Sequence, residues 1–186
     1  MAKPLSVFLL ILLFSFPAFC QVKDIIDRDI FLIKYVPDDV YLQKDWQKIR
    51  KQNSEYRKKD PQYHEILLLD TLAIPYLVDK VGDTTATSIR IPCSTHNLTI
   101  GDIAFALLND IIPIPMHYVT GSQWDVFSCD TLPTGTWDYL HDDRNRFQNE
   151  LRRFFASSKG KTWVRLFKGK VKKKEYKKII RELPAA

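Results

Sequence analysis

The chain has 186 residues, 45% hydrophobic and 27% charged, with only 6 glycines and a formal net charge of +6. That composition excludes disordered, collagen-like and low-complexity classes, and the length excludes a complete eight-fold barrel of ~250 residues. One domain is expected, large enough to bury roughly two thirds of its unfolded surface.

The first element reads as a targeting signal. Lys3 precedes an apolar stretch from Leu5 to Phe16, Pro17 breaks it, and Ala18-Phe19-Cys20 follow with small residues at the −3 and −1 positions. This is the grammar of a secretory signal peptide, and the apolar run is shorter than the ~20 residues a membrane span needs. Cleavage after Cys20 is expected to leave Gln21 as the mature N-terminus, in the periplasm or outside the cell. Retention and lipidation of Cys20 is the competing reading, weakened by the bulky Phe19. Export leaves Cys93 and Cys129 as an even pair in an oxidising compartment, which favours a disulfide worth ~3–4 kcal/mol over two separate buried thiols.

The mature chain is expected to be all-α or mainly α: a helical domain over 21–158 and a basic helical extension over 159–186. Val22, Ile25, Ile26, Ile30 and Ile33 fall at helical spacing, and Pro37 ends that segment. A thin apolar stripe, Leu42, Trp46, Ile49 and Tyr56, follows on a polar helix. Asp60-Pro61 marks a fresh helix start, and Pro75 should kink or divide the apolar segment Tyr63–Val81. Residues 82–98 read as a long Thr- and Ser-rich break. Thr99 and Asp102 then form a capping box for a helix that is apolar on nearly every side, and so central in the fold. Residues 113–136 look irregular, with room for a short hairpin near Thr120-Gly121. Trp137, Leu140, Phe147, Leu151, Phe154 and Phe155 share one face of the next helix, and Trp163, Leu166 and Phe167 repeat the spacing after Gly160.

Charge is unevenly placed. Residues 159–186 carry a net +9 and residues 21–158 a net −4, so the basic character belongs to the tail. Lys172, Lys173, Lys174, Lys177 and Lys178 flank an apolar stripe of Tyr176, Ile179, Ile180 and Leu183. Such a helix either docks its stripe on the acidic body or lies on an anionic membrane surface. Export argues against a nucleic-acid partner.

Residues 72–83, LAIPYLVDKVGD, resemble the first helix of a HEAT-type helical repeat, the matching positions being Ala73, Ile74, Pro75, Tyr76, Leu77 and Asp83. The stretch IGDIAFALLNDII, ending at Ile112, resembles the second helix, with Ala104, Ala106, Leu107 and Ile111 on its packing face. The resemblance covers residues 72–112. It departs from the repeat in the long insertion Thr84–Leu98 and in Gly101-Asp102, where a basic residue is usual. It implies a binding scaffold without chemistry of its own.

Strong catalytic motifs are absent from the sequence: there is no phosphate-binding loop, nucleophile elbow, C-x-x-C or dinucleotide fingerprint. His64-Glu65 opens like a zinc-protease helix but reaches Leu68 where the second His must stand. Cys93 and His96 have metal-ligand or nucleophile–base spacing, and His141 stands beside Asp142 and Asp143. Trp124 and Asp125 combine an aromatic with a carboxylate in a turn and are candidate binding residues. Asn97-Leu98-Thr99 is a formal glycosylation acceptor. The reading is an exported interaction protein of the cell envelope, without cofactor, metal or catalytic residues. Its expected partner is another envelope or secreted protein, with immunity-type neutralisation of a toxin as one form. The alternative is a small secreted hydrolase whose site joins His117 and His141 to carboxylates such as Asp102 and Asp125.

Overall fold

The computed structural model describes residues 21–36, 60–90, 96–121, 128–129, 132–133 and 139–167. Cys93, Trp124, Asp125 and the lysines of the tail lie outside these residues, and Cys129 is described only as a strand residue. The described chain is mainly α-helical. Among the described residues no helix is long and apolar enough to cross a membrane.

Helix α1 (residues 21–29) runs into a 3-10 turn over Ile30–Leu32 and buries Val22, Ile26, Ile30 and Ile33. Helix α2 (Pro61–Leu68) starts at Asp60, whose carboxylate accepts the Tyr63 amide at 2.9 Å. The other Asp60 oxygen accepts the amides of Lys34 and Tyr35 at 2.7 and 3.0 Å. One buried side chain therefore both caps α2 and fastens the segment after α1 to it.

The apolar stretch that follows divides as Pro75 requires. A 3-10 turn over Asp70–Leu72 separates α2 from α3 (Ile74–Lys80), and Pro75 sits in the first turn of α3, where its missing N–H costs no helical bond. Asp70 takes φ 52°, in the left-handed region that Asp tolerates better than most residues.

The segment read as an irregular break carries a strand instead. β1 (Ala86–Arg90) pairs antiparallel with β2 (Asn97–Thr99), and Thr87 Oγ1 donates to Leu98 O at 2.7 Å. β2 leads directly into α4 (Ile100–Ile111). Every residue of α4 from Ile100 to Asn109 is buried, as its all-round apolar sequence predicts. The helix contacts α2, α3 and the first 3-10 turn, and Phe105 meets Phe147 edge-on with ring centres 5.5 Å apart. Each such Leu, Ile or Phe contributes roughly 1.5–3 kcal/mol on burial. The two helices carrying the HEAT-type resemblance, α3 and α4, pack directly on one another.

After Pro113 and Pro115, α5 (Met116–Thr120) ends at Gly121, which adopts φ 70°. Thr120-Gly121 is thus a helix terminus of the left-handed glycine type rather than a hairpin turn. A short hairpin lies further on, where β3 (Ser128–Cys129) pairs with β4 (Leu132–Pro133). Residues 139–142 form a helical turn before α6 (Arg144–Ala156), capped by Asp143, whose side chain accepts the Arg146 amide at 3.1 Å.

Helix α7 (Ser158–Phe167) folds back on α6. Gly160 makes the crossing possible: a Cβ there would stand 2.0 Å from Phe154 O. Trp163 Nε1 donates to Pro113 O at 2.7 Å, and Leu166 is buried. The start of the basic extension is therefore packed on the domain.

Candidate functional site

Among the described residues, two places gather polar chemistry. The first is the junction where β2 becomes α4. Thr99 accepts the Asp102 amide at 3.2 Å, and Asp102 Oδ2 accepts both the Thr99 amide and its hydroxyl at 2.8 Å, which completes the capping box. Asp102 is 0% exposed, and its other oxygen accepts Arg144 Nη2 at 2.8 Å. Arg144 Nη1 donates to Val81 O at 3.1 Å, so one guanidinium ties the start of α4 to the end of α3. His141 Nε2 stands 3.9 Å from Asp102 Oδ2 with its side chain 42% exposed, and the His96 ring centre lies 6.1 Å from that of His141.

Gly101 lets these backbones approach. Its amide donates to Asp83 O at 2.9 Å, and a Cβ would meet Val81 O at 2.3 Å and Arg144 Nη1 at 2.4 Å. Burial raises the carboxyl of the neighbouring Asp83, but its bonds from Thr85 outweigh this and hold it below the usual value. The junction therefore places a carboxylate, a guanidinium and two imidazoles together. The bonds at the Asp102 carboxylate from Thr99 and Arg144 secure a helix start, and the Thr99 hydroxyl is held as both donor and acceptor. The arrangement is that of a satisfied buried polar network.

The second place is a groove of about 870 Å³ between α3 and the α6–α7 hairpin, open to solvent along one side. Ile74, Pro75, Val78, Phe155 and Val164 give it an apolar floor, with Leu72, 56% exposed, at its lip. Arg152, Lys161 and Arg165 form a cationic rim, with Asp79 as the acid among them. Arg152 holds Asp79 through Nη2 and Nε at 2.8 and 3.1 Å. Lys161 and Arg165 pair with no carboxylate among the described residues.

The wall of the groove is fixed by a row of side chains one turn apart on α6. Arg144 donates to Val81 O, Gln148 Nε2 to Val78 O and Asp79 O at 3.0 and 2.7 Å, and Arg152 to the Asp79 carboxylate. Carbonyls at the end of α3 that no helical amide reaches are thereby satisfied.

Of the sequence-derived site residues, the structure brings His141 and Asp102 together, with His96 beside them. His117 lies on α5, its ring 3.8 Å from that of Tyr118. His64 Nδ1 is buried without a hydrogen-bond partner among the described residues. No group of three or more His, Cys, Asp or Glu that would hold a metal occurs among them. The groove was not anticipated. Its signal was the i, i+4 pair Lys161 and Arg165 on α7, submerged in the charge count of the tail. Compared with known proteins, the chain matches no family model, no curated protein and no solved structure.

Proposed function

We propose that the chain is an exported binding protein of the cell envelope, periplasmic or secreted, that docks another protein in the groove between α3, α6 and α7. Neutralisation of a toxin in the manner of an immunity protein is one form of that role. The observation that carries the reading is the groove itself: an open apolar floor rimmed by cations. The polar network at Asp102 supports it from the other side, because the bonds from Thr99 and Arg144 hold helices together. The basic tail, with Lys172, Lys173, Lys174, Lys177 and Lys178, is a second proposed contact, for an anionic membrane surface.

The test is site-specific photo-crosslinking in cells that produce the full chain. A photoreactive residue at Leu72 is expected to give a discrete protein adduct. The same residue at Phe31, 53% exposed and outside the groove, is expected to give none. Equal adducts at both positions, or none at Leu72, would overturn docking at this groove.

A further inference from the structure

We propose that the occupant of the groove is an acidic amphipathic helix of the partner protein, its apolar side chains on the floor and its carboxylates on Lys161 and Arg165. This rests on the docking role above and adds the chemistry of the partner. Charge selects the sign. Asp79 already neutralises Arg152, so among the described residues the rim presents two cations without a carboxylate partner, on a body whose residues 21–158 carry a net −4. The chain's own tail is poorly suited to this groove, because residues 168–186 are dominated by lysine and would bring like charge to the rim.

Geometry selects the helix. Lys161 and Arg165 are four residues apart on α7 and both line the groove, so their anchor points are separated by about 6 Å along the axis. Carboxylates four residues apart on a docking helix repeat that spacing. Apolar residues at i, i+3 and i+4 of the same helix then face the floor. A small amphipathic molecule is less well served, since a site that holds one normally covers 70–90% of its surface, whereas this groove is open along one side. A docked helix brings its own body as the cover.

The probe is a fluorescein-labelled helical peptide with Leu at i, i+3, i+4 and i+7 and Glu pairs one turn apart on the flank. It is titrated into the mature chain at low salt alongside a twin carrying Lys for every Glu. The Glu peptide is expected to bind at least ten-fold tighter than the Lys peptide, and its binding should weaken as salt rises. The double variant K161E/R165E is expected to invert that preference, a gain that a merely misfolded protein would not show. Equal binding of both peptides, or a preference that the double variant leaves unchanged, would overturn the proposal. So would stoichiometric displacement of the Glu peptide by oleate, which would make the occupant a lipid carboxylate. If the Leu72 adduct persists while the peptides show no preference, docking stands and the acidic helix falls. If both fail, the groove is not the docking surface.

Discussion

Asp102 and Arg144 form a charge pair withdrawn from water, and such pairs reveal themselves when one partner is removed. Arg144→Met leaves the Asp102 carboxylate buried without its cation, and a loss of about 3–5 kcal/mol is expected in urea denaturation. Adding Asp102→Asn to that variant is expected to restore part of the loss, so the double change costs less than the sum of the singles. Gly101→Ala tests the packing of the same junction. Alanine gains ~1 kcal/mol in helix propensity, but its Cβ would stand 2.3 Å from Val81 O and 2.8 Å from Asp83 O, both backbone atoms with little room to yield. Net destabilisation is therefore expected, read as a lower melting temperature. The capping box was legible because its members lie three residues apart. The need for Gly101 was not, because the atoms it avoids come from Val81, Asp83 and Arg144, distant in the sequence.

At the scale of elements, α1 and α3 are joined by Lys80 Nζ, which lies 2.8 Å from Asp27 Oδ1. The hydrogen bond from Lys80 is the main cause of an Asp27 carboxyl held below its ordinary value, with partial burial working against it. A carboxyl lowered in the folded state stabilises fully above its unfolded pKa of ~4, and that contribution fades as pH falls through the folded value. Lys80→Met is expected to cost under ~1 kcal/mol at pH 7, because the pair is partly exposed. The gap from wild type should close towards pH 2, as urea midpoints at the two pH values would show. A gap that persists at pH 2 would assign the loss to Lys80 packing over the Phe31 ring. Helix positions were legible from apolar period and caps. β1 was not, because its Thr, Ser and Arg give no apolar alternation and only Ile89 is buried.

For the whole molecule, the net charge of +6 conceals an acidic body and a basic end, and the groove lies where they meet. The sequence showed that asymmetry and the central α4 plainly. It could not show that α7 folds back, because the return depends on Gly160 fitting under Phe154 O and on Trp163 reaching Pro113 O, a partner fifty residues earlier. Gly160→Ala is accordingly expected to weaken the α6–α7 crossing and, with it, binding of the Glu peptide, while the far-UV helical signal changes little. Anisotropy titration beside circular dichroism would separate the two effects. Unchanged affinity would show that the crossing does not shape the groove.

The bonds from Arg144, Gln148 and Arg152 to α3 span 63 to 73 residues, whereas the Thr99–Asp102 box closes over three. Closing so long a loop is entropically costly, so docking of α6 is expected late on the folding path, after the hairpin and α4 have formed. Contacts made after the rate-limiting step govern how fast a protein comes apart rather than how fast it assembles. Gln148→Ala should therefore steepen loss of the native state in stopped-flow unfolding and leave the refolding rate nearly unaltered. The α6 row would then act as a latch, setting the lifetime of the folded chain against any protease that samples its openings.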